Sequence, residues 1–241
     1  MQAIILAAGK GSRLRPLTYK TPKPLLEIEK NKTILDHSLD SLPEKIDKII
    51  IVVNYLKEKI IKKYGHNYQG RKIDYIVHNK LDGSAKALWQ CKKIIKKNFL
   101  VINGDDLYQK KDLNKLLNFD LAILVQEKIA IPSGGVAKLK SNGFLKEIND
   151  YPDQKKQKYL LNTGAYKLNK EIFDYQPILI NSQSKEYGLP QTLAKMTENF
   201  NIKVVKTTKY YQINNFSDLI KINPNYKKFK KPSKINKETS K

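Results

Sequence analysis

The chain has 241 residues, of which 40% are hydrophobic, so it can bury the core of one large α/β domain or two small ones. A formal net charge of +23 favours polyanionic partners such as nucleotides, nucleic acid or an anionic membrane. Because the lysines are spread along the chain among Asn and Ile, we expect no nucleic-acid partner from charge alone. Cys91 is the only cysteine, which excludes an intrachain disulfide and a cysteine-based metal cluster.

The cellular location is predicted from what the sequence lacks. The N-terminus enters an apolar strand pattern at once and does not have the shape of a signal peptide. No apolar stretch approaches the length of a membrane span. A single cysteine also suits a reducing compartment. We therefore expect a cytoplasmic protein without a membrane span.

Strand and helix patterns alternate through the first half of the chain. Apolar, β-branched runs such as 48–53 predict strands that are covered on both faces. Such alternation favours an α/β fold with a mostly parallel sheet and helices on both faces. We predict strands over 3–6, 25–28, 48–53, 73–77 and 98–103, and helices over 33–42 (with Thr33 as N-cap), 56–64 and 84–95.

The second half of the chain has a different pattern, with strands joined by turns. No linker rich in Pro, Gly or Ser separates the halves, so we predict one domain over 1–226, with a nucleotide-binding half (1–120) and an acceptor-binding half (121–226). Residues 227–241 contain seven lysines and one glutamate, which predicts a basic, disordered tail. The predicted strands are 121–127, 135–139, 143–148, 162–168 and 202–206, and the helices are 170–175, 189–197 and 216–222.

A glycine-rich stretch with several cations follows the first predicted strand. Gly9 and Gly11 permit a tight turn that exposes N–H groups to an anion, and Arg13 and Lys23 can reach phosphate. Neither the P-loop spacing nor the dinucleotide-binding fingerprint is present, since the latter needs a glycine where Leu14 stands. The stretch predicts a polyphosphate site, because ligands bind at the carboxyl ends of strands in such sheets.

The pattern Gly-x-Gly-x-Arg followed by Pro22-Lys23-Pro24 resembles the signature of the sugar-1-phosphate nucleotidyltransferases, the NDP-sugar pyrophosphorylases. This resemblance implies a Rossmann-like three-layer sandwich with a mixed, mostly parallel central sheet, the nucleotidyltransferase type A fold. It also implies that the backbone of Leu6, Ala7, Ala8, Gly9, Gly11 and Ser12 cradles a nucleotide. The segment Gly83-Ser84 resembles the family's nucleobase-contacting segment, and His78 stands where one branch has a base-reading Gln. Helix capping by Ser84 and a solvated His78 are the alternatives.

Catalysis by such an enzyme needs positioning and charge neutralisation. We assign Arg13 to the β- and γ-phosphates, and Lys23 to the α-phosphate and the attacking phosphate. The resemblance implies Mg²⁺ on Asp105, which follows a buried strand, and Mg²⁺ suits a site of few carboxylates with phosphate oxygens. Asp106 orients water or caps the next segment. The family's second metal-binding Asp falls on Gln212, which brings no negative charge and predicts weaker metal binding.

Three later segments resemble the family's acceptor-binding pattern. They place Gly135, Asn162, Gly164 and Glu186 at the acceptor. Asp150 starts the segment that replaces the family's Glu-Lys-Pro, so the usual phosphate-binding Lys is lost and Lys155, Lys156 or Lys158 could substitute for it.

These motifs predict an Mg²⁺-dependent enzyme that condenses an NTP with a sugar 1-phosphate to give an NDP-sugar and pyrophosphate. A cytidylyltransferase that acts on a non-sugar phosphate such as phosphocholine is one alternative. A catalytically silent module that binds nucleotide or nucleic acid is the other, because Gln212 and the net charge of +23 would also fit it.

Overall fold

The computed structural model describes residues 1–130, 134–149 and 157–229. None of the helices in these ranges is long and apolar enough to cross a membrane. The α-helices are α1 (Ile34–Asp40), α2 (Lys57–Tyr64), α3 (Ser84–Trp89), α4 (Lys110–Leu116), α5 (Leu189–Met196) and α6 (Phe216–Ile222). Short 3₁₀ helices cover Ser12–Leu14, Leu17–Tyr19, Lys23–Leu25, Lys170–Asp174 and Pro224–Phe229. The strands are β1 (Gln2–Leu6), β2 (Glu27–Glu29), β3 (Lys32–Thr33), β4 (Lys48–Val53), β5 (Asn67–Tyr68), β6 (Arg71–Val77), β7 (Phe99–Asn103), β8 (Asp106–Leu107), β9 (Ala122–Ala130), β10 (Val136–Leu139), β11 (Leu145–Asn149), β12 (Gln157–Leu168), β13 (Ile178–Leu179), β14 (Tyr187–Gly188), β15 (Lys203–Thr207) and β16 (Tyr211–Gln212).

One mixed sheet of ten strands forms the centre of the protein. Its order is β11-β10-β12-β7-β1-β4-β6-β5, with β9 beside β12 and β15 beside β9. The central strands β7, β1, β4 and β6 are all parallel, whereas β12 runs antiparallel to both β7 and β9. The predicted sheet with a parallel core is therefore confirmed, and both halves of the chain contribute to it.

Helices cover both faces of this sheet, which gives the predicted three layers. Successive residues of a strand point to opposite faces, so each buried strand supplies two cores. Ile4, Ile50 and Val101 pack with α3 and α5 on one face. Ile5, Ile51 and Ile102 pack with α1, α2 and α4 on the other.

The carboxyl ends of the central strands lie side by side. Leu6 is in register with Val52 of β4 and with Asn103 of β7. Beyond the strands, the Gly104 amide donates to the Leu6 carbonyl (2.9 Å) and the His78 amide donates to the Val53 carbonyl (2.9 Å). The segments that follow β1, β6 and β7 therefore meet at one edge of the sheet.

Most predicted elements are present, and Thr33 caps α1 through a capping box with Asp36, as expected. The predicted helix 84–95 is too long, because α3 ends at Trp89. Beyond Trp89 the backbone continues as tighter turns, in which the Cys91 amide donates to the Leu88 carbonyl (2.9 Å) and the Lys92 amide to the Trp89 carbonyl (3.1 Å). The side-chain amide of Gln2 donates to the Ile94 carbonyl (3.0 Å) and accepts from the Lys96 amide (2.9 Å), which ties the end of this segment to β1. The predicted helix 170–175 is a 3₁₀ helix, Lys170–Asp174.

Several predicted residues lie partly or wholly outside the described parts of the chain. The basic tail was predicted to begin at residue 227, but the 3₁₀ helix Pro224–Phe229 extends past this point. Residues 230–241 of the tail lie outside the described residues. Asp150, Lys155 and Lys156 also lie outside them.

Candidate functional site

A cavity of about 540 Å³ opens at the carboxyl ends of the central strands. We name it the strand-end cavity. Its remaining walls include Lys10, Leu81, Ala87 and Asn103. Ala7 lies behind it in the core, with its amide bonded to the Val52 carbonyl. The predicted site residues that line the cavity are Leu6, Ala8, Gly9, Gly11, Ser12, His78, Gly83, Ser84, Asp105 and Glu186.

An ion pair joins the glycine-rich segment to the turn after β7. Lys23 Nζ lies 2.5 Å from Asp105 Oδ2, although the two residues are 82 positions apart. Lys23 is only 7% exposed, whereas the Asp105 side chain remains 39% exposed. A buried ammonium group needs a paired charge or a polar ligand. Asp105 lines the cavity, so the pair places the Lys23 ammonium group directly beside the cavity wall.

The local conformation of Gly11 explains how Lys23 reaches this position. Gly11 has a φ of 62°, in the left-handed region. A Cβ atom there would lie 2.9 Å from Lys23 Cβ and 3.0 Å from Thr18 Cγ2. The Thr18 hydroxyl also donates to the Gly11 carbonyl (2.9 Å). A glycine is required here because any side chain would push the loop away from Lys23.

The Gly83-Ser84 segment is fixed by a segment from the second half of the chain. Gly83 has a φ of 106°, and a Cβ there would lie 2.3 Å from the Tyr187 carbonyl oxygen. The Ser84 hydroxyl accepts a hydrogen bond from the Leu189 amide (2.9 Å) at the start of α5. The alternative that Ser84 caps its own helix is therefore wrong, because Gly83 is the N-cap of α3. This contact also brings Glu186 to the cavity.

His78 is 3% exposed, so the alternative of a solvated surface histidine is wrong. Burial lowers the pKa of His78, and the charge of Asp82 opposes this shift. His78 Nε2 and Asp82 Oδ1 lie 3.2 Å apart, yet neither buried atom has hydrogen-bond geometry to any described residue. A buried polar atom at a cavity wall can bind a ligand there.

Asp106 does not orient solvent water, because it is only 2% exposed. Its carboxylate accepts hydrogen bonds from the Tyr210 hydroxyl (2.9 Å), Asn103 Nδ2 (3.3 Å) and the Ile213 amide (3.4 Å). Burial, and secondarily the charge of Asp105, raises the pKa of Asp106. Asp106 therefore connects the turn after β7 to β16.

Arg13 and Gln212 lie outside the strand-end cavity. Both line a neighbouring cavity of about 730 Å³, which we name the basic cavity and whose walls include Arg13, Lys128, Lys209, Gln212 and Lys221. Gln212 is directly opposite Asp106 in the β8–β16 pair. The two cavities are adjacent, because Ser12 lines the strand-end cavity and the next residue, Arg13, lines the basic cavity. Asp105 and Leu107, two residues apart, line the two cavities in the same way.

Three predicted acceptor residues are not in either cavity wall. The Gly135 carbonyl accepts from the Asn162 amide (2.8 Å), and Asn162 Nδ2 donates to the Tyr166 hydroxyl (2.7 Å). Gly164 is next to Asn103, since a Cβ at Gly164 would lie 2.1 Å from Asn103 Nδ2. Of the three, Gly164 therefore packs against Asn103, a residue of the strand-end cavity wall. The predicted Asp150 is outside the described residues.

The sequence analysis missed several residues of the site. Asn103 was predicted only as the last residue of the strand 98–103, although it lines the cavity and bonds Asp106. Its position between a buried strand and Gly104-Asp105 could have identified it. Tyr210, Lys128 and Lys209 had no local motif that could have indicated their roles.

The described residues fit a magnesium ion that arrives with a nucleotide. They contain no group of three or more His, Cys, Asp and Glu residues that could hold a metal by themselves. Mg²⁺ often uses one or two carboxylates, with water and substrate phosphates as its other ligands. Asp105 can supply one carboxylate, because Lys23 is bonded to Oδ2 and no described residue is hydrogen-bonded to Oδ1. Gln212 lines the neighbouring basic cavity, and its backbone pairs with Asp106, the residue after Asp105.

Comparisons with known proteins identify relatives of this chain. A model of the nucleotidyl transferase family matches residues 2–228. The bifunctional protein GlmU of Methanocaldococcus jannaschii is 34% identical over 211 residues, which cover 88% of this chain and 50% of that protein. The chain thus spans about half the length of the GlmU relatives. The UTP–glucose-1-phosphate uridylyltransferase AglF of Haloferax volcanii is 33% identical over 201 residues, which cover 80% of this chain and 82% of AglF.

The fold also matches a solved structure along almost its whole length. A crystal structure described as a glucose-1-phosphate thymidylyltransferase from Bacillus anthracis aligns with a TM-score of 0.79 and covers 99% of this chain and 98% of that one. At 22% identity, this match establishes the shared fold only. The family match over residues 2–228, with relatives above 30% identity, establishes the family: the chain belongs to the nucleotidyl transferase family.

Proposed function

We propose that this protein transfers a nucleotidyl group from an NTP to a sugar 1-phosphate, giving an NDP-sugar and pyrophosphate. The observation that carries the proposal is the 2.5 Å ion pair between Lys23 and Asp105 at a cavity walled by the glycine-rich segment. The relative AglF, whose name specifies UTP and glucose 1-phosphate, supports this substrate class.

The proposed reaction is an in-line displacement at the α-phosphorus. A phosphate oxygen of the acceptor forms the new P–O bond, and the bond to the β-phosphate oxygen breaks as pyrophosphate leaves. No general base is needed, since the attacking phosphate is already ionised at neutral pH. The protein's contribution is to hold both phosphates in line and to offset their charge.

Residues in and around the strand-end cavity have the following roles in this proposal. Gly9 and Gly11 let the backbone approach the nucleotide, and Lys23 neutralises the α-phosphate and the acceptor phosphate. Arg13 extends toward the β- and γ-phosphates from the boundary with the basic cavity. His78 and Gly83 form the wall where a nucleobase would lie. Asp105, with Gln212 as a weaker ligand, would hold Mg²⁺, which when bound supplies positive charge to the phosphate oxygens.

The test is a screen for pyrophosphate release, with the common NTPs against a panel of sugar 1-phosphates and phosphocholine. We expect release with at least one NTP and sugar 1-phosphate, and loss of that activity on removal of Mg²⁺. Asp105→Ala should abolish it. Asp174→Ala is the matched control, because Asp174 is an exposed carboxylate at the end of a 3₁₀ helix far along the chain.

Several results would contradict the proposal. Full activity in Asp105→Ala would remove the assigned site, and release with phosphocholine alone would favour the alternative acceptor. Absence of release with every pair, together with salt-sensitive binding of RNA or DNA tighter than that of nucleotides, would indicate a catalytically silent binding module. A cytoplasmic location stays a prediction.

A further inference from the structure

Among the described wall residues of the strand-end cavity, only Glu186 comes from the second half of the chain. Glu186 is exposed, and it forms no ion pair with a described residue. An ionised carboxylate accepts hydrogen bonds from hydroxyl groups. Whether Glu186 can offer this at the cavity depends on what fixes the backbone around it.

Short-range hydrogen bonds hold the backbone of Glu186 within the second half. Its amide donates to the Ser184 hydroxyl (2.9 Å), and its carbonyl accepts from the Ile180 amide (2.9 Å). The next residue, Tyr187, is paired with Leu179 in the β13–β14 ladder. Each of these strands has only two residues, and an isolated two-stranded hairpin is marginally stable in water. The segment therefore needs further contacts to keep Glu186 at the cavity.

Tyr187 receives these further contacts from the nucleotide-binding half. Its amide donates to the Asp82 carbonyl (2.7 Å). Its backbone lies against Gly83, where an added Cβ would be 2.4 Å from the Tyr187 nitrogen. Lys86 Nζ lies 4.6 Å from the centroid of the Tyr187 ring, which is within the range of a cation–π interaction. Both the backbone and the ring of Tyr187 are thus held by the segment 82–86.

The start of α5 is held by the same segment. The Leu189 amide donates to the Ser84 hydroxyl (2.9 Å), and the buried side chain of Leu189 belongs to the same core as Leu88 of α3. Tyr187 packs against this core from the edge. Glu186 therefore directly precedes a stretch, 187–189, that is attached at both ends to the nucleotide-binding half.

We propose that Tyr187 is a positioning residue, held by Lys86 and Gly83, which keeps the Glu186 carboxylate at the strand-end cavity for the hydroxyl groups of the acceptor. The identity of the acceptor rests on the function proposed above, whereas the placement of Glu186 rests on the contacts of Tyr187, so the two can fail separately. Lys86 contacts the aromatic ring of Tyr187, so a phenylalanine can replace this tyrosine and an aliphatic residue cannot.

The first experiment measures hydrogen exchange by NMR on the full chain without substrate. Tyr187→Leu removes the ring that Lys86 contacts, so the Leu189 amide should exchange about tenfold faster. Tyr187→Phe should keep the wild-type rate. Tyr175→Leu is the matched control, because Tyr175 is another half-buried tyrosine that packs on the same core and lines neither cavity. An unchanged rate in Tyr187→Leu would overturn the proposal.

The second experiment measures the steady-state kinetics of the transfer reaction. Tyr187→Leu should raise the KM of the sugar 1-phosphate about tenfold and change kcat and the KM of the NTP by less than about twofold. Lys86→Met removes only the cation and should raise the same KM about threefold. Lys93→Met is its matched control, because Lys93 is an exposed lysine that lines neither cavity. A lower kcat with an unchanged KM of the sugar phosphate would overturn the proposal.

A double-mutant cycle with Glu186→Ala shows whether Tyr187 acts through Glu186. If it does, Tyr187→Leu should raise the KM of the sugar 1-phosphate by less than about twofold in the Glu186→Ala background. Equal increases in both backgrounds would assign Tyr187 a general structural role and overturn the proposal. Faster exchange of the Leu189 amide in Tyr187→Leu, without transfer activity for any pair of NTP and sugar 1-phosphate, would support the placement of Glu186 and contradict the proposed function.

Discussion

The strand-end cavity and the basic cavity are neighbours, but the chain builds them in different ways. Apart from Glu186, the walls of the strand-end cavity come from three segments, 6–12, 78–87 and 103–105, that follow parallel strands. The basic cavity takes its cations from Arg13, Lys128, Lys209 and Lys221, which are far apart in the chain. The strand-end cavity depends on the shape of the backbone, whereas the basic cavity depends on positively charged side chains brought together from distant parts of the chain.

This difference indicates which wall residues can be substituted without loss of the fold. A backbone cradle tolerates few changes, because Gly11 and Gly83 have conformations and close neighbours that exclude a side chain. A cluster of exposed lysines can change one residue at a time with little cost to folding. We therefore expect substitutions in the strand-end cavity to have much larger effects than those in the basic cavity.

The largest effect is expected for Lys23→Ala. It removes the buried cation and leaves Asp105 without its partner, so kcat should fall by about 10²–10³. Lys209→Ala should lower kcat by about tenfold or less, because the other cations of the basic cavity remain. Steady-state kinetics of pyrophosphate release would compare the two, with thermal melts to show that both variants fold. A larger loss for Lys209→Ala would contradict the expectation that substitutions in the strand-end cavity have the larger effects.

The second largest effect is expected for Gly83→Ala, which should destabilise the fold. The new Cβ would meet the Tyr187 carbonyl at 2.3 Å and push apart two segments that wall the strand-end cavity. We expect the free energy of unfolding to fall by about 1–3 kcal/mol and the KM of the NTP to rise. Gly143→Ala is the matched control, since Gly143 also has a positive φ (81°) but no atom within 4 Å of an added Cβ. Urea denaturation would measure the free energy of unfolding of both variants. An equal loss in Gly83→Ala and Gly143→Ala would show that backbone strain, and not the contact with Tyr187, is responsible.

Asp106 connects the turn after β7 to β16, and its substitution should change the pH dependence of stability. Because burial raises its pKa, the folded protein holds this proton more tightly than the unfolded chain. The contribution of Asp106 to the free energy of unfolding should therefore fall as pH rises above the ordinary carboxyl pKa of about 3.9. Asp106→Asn should flatten this slope in denaturant titrations between about pH 4 and neutrality.

The exposed Asp174 provides the control for this measurement, since Asp174→Asn should keep the wild-type slope. An Asp106→Asn protein with an unchanged slope would show that Asp106 is ionised throughout this range. In that case Asp106 would be a buried, charged carboxylate.

The smallest effect is expected for Ser84→Ala. It removes the hydroxyl that accepts from the Leu189 amide at the start of α5, which should cost about 1 kcal/mol, as loss of a helix cap does. Thermal or chemical unfolding would measure this, with the exposed Ser217→Ala in α6 as the control. No difference from the control would indicate that water replaces Ser84, and that α5 is not tied to the strand-end cavity through it.

The sequence by itself determined the strands of the parallel core, the capping of α1 by Thr33 and the glycine-rich segment with Lys23 and Asp105. Each of these depends on short-range patterns: apolar runs, a capping box, or closely spaced glycines and cations. The sheet arrangement followed because alternation of strands and helices has few packed solutions. The resemblance to nucleotidyltransferases rested on the same local segment, and the family match confirmed it.

Only the tertiary structure decided which residues meet across long separations. It paired Ser84 with Leu189 and set Gln212 opposite Asp106. It also placed Arg13 in a different cavity from the glycines that precede it. Among 46 lysines and arginines, no local pattern distinguishes Lys128 and Lys209 from their neighbours. Their convergence depends on how β9 and the turn after β15 pack, and that packing is a property of the whole folded chain.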